Sequence, residues 1–537
     1  MKTMKKKLIL AMALTFTASI LLPTAASCSP AVDNSENTLE IFVTNAGYGT
    51  KWLTDTIAAF KEEAWVKEKY PELNIPTPKM NSMSDYIPTQ ITMGEKNTVD
   101  LFFSCQAIGA YYNSKDSKGN PYFEDFTELL TTVEIPGEGV TMAQKMNAQI
   151  YEEEKIELLN GGEVYYAIPW VNGMMGLMYN KTRVDELLGE NYIMPRTTEE
   201  LISCTAALKA KLPEGDAPFI FSNGSRYFNA PFIVWWSQYE GKQQYLNYWN
   251  GVDEEGEYTN EIFAQTGRYR ALDVYEKLIN RDLGNNHSMS TTDGYYKIQS
   301  NYVAGQAGIF MPIGDWLMTE MEGALVTEEI RMMKMPVIST ITEKCTSVKN
   351  DTQLAFVVQS VDEGKDYTAT AAAYADAGYG ELKSADYTKI SQARNMMYRM
   401  TGHEAFVPAY ATGKEVAKDF LLFMASDKGI EAFMNATKGT MTPYNYEVSA
   451  TKLDSFYPLQ QDHYEYMKTV VSLPPENVFK LNYLGGLQQV TKNVSVEVPF
   501  AAQNKNDRLS AWDVYQADIK FYTQSQYELL LQKAGIR

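Results

Sequence analysis

The chain has 537 residues, and its 67 acidic against 48 basic side chains leave a formal net charge of −19. That balance argues against nucleic acid as a partner, because phosphate backbones are held by clustered lysine and arginine, and the negative field favours neutral over anionic ligands. At this length one compact core gives way to more than one, so two lobes or domains are expected.

The chain opens with Lys2, Lys5, Lys6 and Lys7, an uncharged and mostly apolar run over residues 8–22, and then the small residues Ala25, Ala26 and Ser27. This is the layout of a secretory signal. As a helix the run would span about 22 Å, short of the ~30 Å hydrocarbon core, which disfavours the alternative of an uncleaved anchor. Cys28 follows the small residues directly and resembles the lipid-acceptor cysteine of bacterial lipoproteins. Residues 1–27 are therefore expected to be a lipoprotein signal peptide and 28–37 a lipid-anchored tether, more than one acyl chain being enough for stable anchoring. Loss of the four signal lysines takes the net charge of the mature chain to −23.

Leu39, Ile41 and Val43 alternate with Glu40, Phe42 and Thr44 and predict a strand, ended by the turn Asn45-Ala46-Gly47-Tyr48-Gly49. Leu53, Ile57, Phe60 and Ala64 predict a helix with one buried stripe. Residues 99–103 repeat the strand signal, and strand, helix, strand implies a parallel sheet with ligand-facing loops at the carboxyl ends of its strands. A second β–α series follows: 164–170, 176–179, and a helix near Thr197, where Thr197 and Glu200 have capping-box spacing. Val416, Phe420, Leu421 and Met424 share one helical face, and Ser426 with Asp427 starts another helix. Residues 340–400 break the regularity with Gly, Asp, Ser and an Ala-rich piece, and read as an insertion of unknown role.

The common catalytic signatures are missing: no GxxxxGK[ST], no HExxH and no GxSxG occurs. Beyond Cys28 only Cys105, Cys204 and Cys345 remain, an odd number without close spacing, which argues against a disulfide framework and a Cys-rich zinc site. His287, His403 and His463 lie far apart. No metal and no cofactor is expected. A glycosidase, however, needs only two placed carboxylates, and the acidic residues offer many candidates.

Four blocks together resemble the family 1 extracellular solute-binding proteins of ABC importers, especially those serving sugars. They are the strand and turn through Asn45 with the 52–60 helix and Tyr70-Pro71-Glu72-Leu73-Asn74-Ile75; Tyr165-Tyr166-Ala167-Ile168-Pro169-Trp170 with Gly173, Gly176 and Tyr179-Asn180-Lys181; Tyr302-Val303-Ala304-Gly305-Gln306-Ala307-Gly308-Ile309-Phe310 with Gly314-Asp315-Trp316; and Phe406-Val407-Pro408 through Ala417, Phe420-Leu421 and Ala425-Ser426-Asp427 to Gly439 and Pro443. The resemblance implies an α/β, two-lobed periplasmic-binding-protein type II fold (Venus flytrap). Each lobe would be a mixed, mainly parallel sheet flanked by helices, and the C-terminal region helical. Lobe I would comprise 38–171 plus about 404–450, and lobe II 172–403 plus about 451–537, including the insertion at about 340–400.

The function so implied is a lipid-anchored receptor at the outer face of the cytoplasmic membrane. It would bind a carbohydrate, an oligosaccharide, between the lobes and deliver it to the permease subunits as a monomer without chemistry of its own. A sugar has an apolar face on which an aromatic ring stacks and a polar rim for amides and carboxylates. The candidates are Trp170, Trp235, Trp236 and Trp316 for the face, placed in turns or element ends, and Asn45, Tyr48, Gln106, Asn172 and Asp315 for the rim. Packing is the competing role for each tryptophan, and helix capping the competing role for Asp315. The alternatives are a surface-anchored carbohydrate-active enzyme using two carboxylates and a receptor for a non-sugar solute.

Overall fold

A computed structural model describes residues 36–82, 86–222, 225–291, 293–400, 403–488 and 495–537. The signal, Cys28 and the tether up to residue 35 lie outside the described residues. The strands in chain order are β1 (Ile41–Thr44), β2 (Lys79–Asn81), β3 (Leu101–Phe103), β4 (Ile156–Glu157), β5 (Glu163–Val164), β6 (Ile168–Pro169), β7 (Met174–Asn180), β8 (Phe310–Gly314), β9 (Ile330–Met332), β10 (Met396–Arg399), β11 (Glu404–Phe406) and β12 (Val471–Leu473).

They form two main sheets, each the centre of one lobe: β2-β1-β3-β11-β6, and β12-β10-β7-β8 with β9 also on β7. β1 pairs parallel with β2 and β3, as strand, helix, strand requires. The expectation of mainly parallel sheets needs correcting. β11 runs antiparallel to β3 and β6, and β7 antiparallel to β8, β9 and β10. Part of the reason is how the chain changes lobe. It leaves the first sheet from β6 to β7 through residues 170–173 and returns between β10, which ends at Arg399, and β11, which begins at Glu404, so the two links run in opposite directions. The links are hydrogen-bonded to each other: the Trp170 N–H donates to the His403 carbonyl at 3.1 Å, and the Met400 N–H to the Gly173 carbonyl at 2.8 Å.

Helix Lys51–Glu62 buries Trp52, Leu53, Ile57 and Phe60 against the first sheet and against the helices Lys414–Ala425 and Asp427–Ala436. Its stripe ends at Phe60 rather than Ala64, because Glu63 is extended and a separate helix, Ala64–Lys69, begins there. Ser426 caps its helix by accepting from the Gly429 N–H at 3.1 Å. Helix Thr198–Lys209 starts at the predicted cap, where Thr197 Oγ1 accepts from the Glu200 N–H at 3.2 Å. The reciprocal half of the box differs: the Glu200 carboxylate takes the Arg196 N–H at 2.7 Å and the Arg196 guanidinium.

Helix Asn229–Glu240 is buried on nearly every side, and carries Trp235 and Trp236 in its middle rather than in a turn or at an element end. The 340–400 stretch is built mainly of helices, Asp351–Asp362, Tyr367–Asp376 and Ser384–Arg394, followed by β10. Asn350 and Asp366 cap the first two. The stretch is fastened to the second lobe by Arg394, which grips Asp362 and the Met335 carbonyl. The C-terminal helices Ala511–Phe521 and Gln524–Lys533 pack on the second lobe, where the buried Arg268 pairs with Asp518 and lies over the Trp236 and Tyr248 rings. Among the described residues no helix is long and apolar enough to cross a membrane.

Candidate functional site

A cavity of about 550 Å³ lies between the lobes, within the ~300–1,000 Å³ usual for small-molecule sites. The first lobe supplies Ala46 and Gly47, just after β1, and Cys105, just after β3. The cavity therefore sits at the carboxyl ends of parallel strands, where an α/β sheet leaves its loops free to hold a ligand. The second lobe supplies Met175 of β7, Trp316 after β8 and Tyr398 of β10, and the second link supplies Met400 and His403. Tyr227, Tyr295, Glu320 and, from the C-terminal region, Glu476, Asn482 and Gln488 complete the wall.

Trp316 can lie where it does because residue 314 is glycine: a Cβ there would stand 1.7 Å from the indole ring. The Tyr227 ring meets the same indole edge-on at 5.6 Å, and Tyr48 meets it edge-on at 6.4 Å. Tyr48 is itself buried beneath the cavity floor. Its hydroxyl donates to Asp315 Oδ1 at 2.7 Å, so a first-lobe side chain bonds a second-lobe carboxylate. Gly173 keeps the space for this contact, since a Cβ there would come within 2.3 Å of the Tyr48 hydroxyl. Asp315 also accepts from the Met174 N–H at 3.3 Å and lies 3.3 Å from His463 Nδ1. It is committed to these partners, and the following helix, Leu317–Glu320, has Trp316 at its N-cap with no side-chain cap.

Burial pushes the Tyr48 hydroxyl well above its ordinary range, with Asp315 adding to the shift. The Cys105 thiol is pushed up to about 12 by burial and then by Glu320, which makes it a poor nucleophile at neutral pH. Burial also raises the Glu320 carboxyl, and one of its oxygens has no hydrogen-bond partner among the described residues. Tyr398, raised by burial and by Glu476, donates its hydroxyl to the Glu476 carboxylate. Arg226, at the cavity wall, has φ +66°. A non-glycine residue in this left-handed region is strained, and such strain gathers at ligand sites.

Of the residues singled out from sequence, Trp316 lines the cavity, and Tyr48 and Asp315 lie directly behind it. Asn45 is exposed at the end of β1, and its N–H donates to the Asn81 carbonyl at 3.2 Å. Gln106 is half-buried beside Cys105, its backbone tied to Ser104 Oγ. Asn172 is buried in the first link. Trp170 is stacked on Trp52 at 4.7 Å and donates its indole N–H to the Ser104 carbonyl at 3.1 Å, inside the first lobe. Trp235 and Trp236 lie in the second lobe's interior, with indole N–H groups on the Pro336 carbonyl and on Gln265 Oε1. Sequence reasoning passed over Arg226, Tyr227, Tyr295, Glu320, Tyr398, Glu476, Asn482 and Gln488. None belongs to a local motif, and only the fold brings them together. Among the described residues no group of three or more His, Cys, Asp or Glu side chains could hold a metal ion.

The sequence profile described as bacterial extracellular solute-binding protein matches residues 50–316. Residues 50–316 belong to the bacterial extracellular solute-binding protein family. The chain is thus a solute-binding protein of an exported family, whose members bind rather than transform. The matched segment begins at Thr50, just after the turn that carries Ala46, Gly47 and Tyr48, and ends at Trp316 in the cavity wall, so Tyr398, Met400, His403 and Glu476 of the wall lie beyond it. No curated protein sequence matches the chain significantly. Among solved structures, an ABC substrate-binding protein from Listeria monocytogenes in complex with cycloalternan is 13% identical with TM-score 0.55, covering 93% of this chain and 99% of its own. Maltose-bound MalE3 of T. maritima is 14% identical with TM-score 0.55, covering 90% of this solute-binding protein and 100% of its own chain. The GacH receptor of Streptomyces glaucescens, solved unliganded and with acarbose, is 12% identical with TM-score 0.54, covering 91% and 99%. At these identities the likeness is one of fold.

Proposed function

We propose that this solute-binding protein takes up a carbohydrate, an oligosaccharide, in the cavity between its lobes and delivers it to the transmembrane permease of an ABC importer. The observation that carries the reading is the make-up of the cavity wall. Trp316, Tyr227, Tyr295 and Tyr398 offer aromatic surface, and Glu320, Glu476, Asn482 and Gln488 offer hydrogen-bonding groups to a ring of hydroxyls. Neighbours of the same fold solved with cycloalternan, maltose and acarbose support it. Tyr48 and Asp315 then act from behind the wall, as the contact between lobes that closure makes or breaks. Ligand that binds the closed form better shifts the open–closed equilibrium by that difference, and the closed form is what a permease can recognise.

The same reading places the protein at the outer face of the cytoplasmic membrane, held by lipid on Cys28 and working as a monomer. A tether of residues 28–37 keeps it at high effective concentration near the permease. Lobe I would comprise 38–171 with about 404–450, and lobe II 172–403 with about 451–537.

The test is titration of the mature chain with maltotriose, raffinose and chitotriose, followed by tryptophan fluorescence and calorimetry. Saturable binding that Trp316→Ala weakens at least tenfold is expected. Binding of a peptide or other solute with no response to any glycan would sink the carbohydrate part, and product appearing at catalytic protein concentration would sink the binding-protein part. Cys28→Ala should release the protein from membranes with glycan affinity unchanged.

A further inference from the structure

Residues 474–488 cross between the lobes beside the second link. On the second lobe, the Pro474 carbonyl accepts from the Tyr245 hydroxyl at 2.6 Å and the Phe479 ring stacks on Trp249 at 6.0 Å. On the first lobe, the Tyr483 ring lies against Tyr112 at 6.0 Å, and its hydroxyl donates to the Glu157 carbonyl at 3.1 Å. Lys480 Nζ is 3.3 Å from Glu157 Oε2. Residue 109 is a glycine, and a Cβ there would come within 2.7 Å of the Tyr483 Cβ.

Two adjacent residues of this segment grip the strands on either side of the link. Glu476 takes the hydroxyl of Tyr398, in β10, just before the link; Asn477 Nδ2 donates to Glu404 Oε1 at 3.0 Å, at the start of β11, just after it. Any bending of the link changes the distance between these two grips. Glu476 and Tyr398 also line the cavity, whereas Asn477 does not.

We propose that residues 474–483 brace the second link, and that Glu476 is a ligand-recognising residue through which occupancy of the cavity is felt at the hinge. The Glu476 half rests on the cavity being the solute site; the brace half does not. A hydroxylated solute that takes a hydrogen bond to Glu476 competes with, or reinforces, the Tyr398 contact, and either change is passed to β10. Asn477 is the positioning residue that holds the other end of the brace.

The experiment uses the mature chain as wild type, Glu476→Gln and Asn477→Ala, each first shown by thermal melting to be folded. Calorimetry with maltotriose, raffinose and chitotriose reads affinity, and small-angle X-ray scattering with and without the same probes reads lobe closure. Glu476→Gln should lose at least tenfold in affinity while its unliganded scattering matches wild type. Asn477→Ala should bind within about threefold of wild type, a span of roughly 0.7 kcal/mol, but show a wider unliganded envelope. Wild-type affinity in Glu476→Gln overturns the recognition half, and wild-type scattering in Asn477→Ala overturns the brace. If wild type binds none of the probes, the carbohydrate reading fails and the Glu476 half falls with it, while unliganded scattering still decides the brace.

Discussion

The interior of the second lobe and the seam between the lobes use the same residue types to opposite ends. In the interior, around helix Asn229–Glu240, Trp235, Trp236, Arg268 and Asp518 find all their described partners within one lobe. Along the seam, partners are split. Tyr48 of the first lobe bonds Asp315 of the second, and Arg399 of the second reaches Glu153 at 2.8 Å and Glu154 at 3.1 Å on the first. A group whose partners are all in one rigid body contributes to folding; one whose partner sits in the other body contributes to the balance between lobe positions.

The largest effect should come from the interior. Trp236→Ala removes a fully buried indole and should cost about 3–5 kcal/mol of stability, measured by denaturant unfolding, with the affinity of the remaining folded protein unchanged. An equal loss of affinity would mean that this helix belongs functionally to the seam. Asp518→Ala strands the buried Arg268 guanidinium and should cost about 3–5 kcal/mol, again without effect on binding. Trp316→Ala sharpens the contrast from the other side: affinity should fall ten- to a hundredfold, about 1.4–2.8 kcal/mol, with a smaller change in stability because one side of the ring faces the cavity rather than the packed interior. Tyr48→Phe should cost about 1–3 kcal/mol, the range for leaving a buried acceptor without its donor, and should alter the scattering envelope of the unliganded protein, which no interior substitution does.

A pH dependence at the seam sharpens the contrast in a further way. Burial, with Glu154 adding, pushes the Glu404 carboxyl up to about 8. The native state therefore keeps a proton that the unfolded chain releases above its ordinary carboxylate pKa of roughly 4.3. Its contribution to stability is complete at low pH and is lost as pH rises through the window between roughly 4.3 and about 8. Glu404→Gln should raise the melting temperature at pH 8 relative to pH 5 when each is compared with wild type, and parallel pH profiles for the two proteins would sink the assignment.

Much of the fold was legible where burial is one-sided. Leu53, Ile57 and Phe60 mark their helix because only one stripe of it faces the sheet. Ser426 and Thr197 mark helix starts because the free N–H groups of a helix's first turn need a side-chain acceptor. Helix Asn229–Glu240 is buried on nearly every side, so its periodicity is silent, and the two tryptophans within it could not be told from cleft residues by pattern alone. Sheet direction was misjudged for a different reason, since it depends on how two links 230 residues apart lie side by side, which no local window contains. The candidate site shows the same limit. Trp316 stands in a recognisable block, whereas Tyr398 and Glu476 come from stretches without one, and meet only because β10 pairs with β12 just ahead of the C-terminal crossing.

The hydrogen bonds joining Trp170 to His403 and Met400 to Gly173 tie the two links to each other at both ends rather than leaving two independent cords. Independent cords would leave the lobes free to swivel, shear and tilt. A pair tied at both ends resists shear of one link past the other and gives way most easily by bending together, so the relative motion of the lobes is reduced towards a single degree of freedom. With one such coordinate, a few contacts at the cavity can decide the position of the whole molecule.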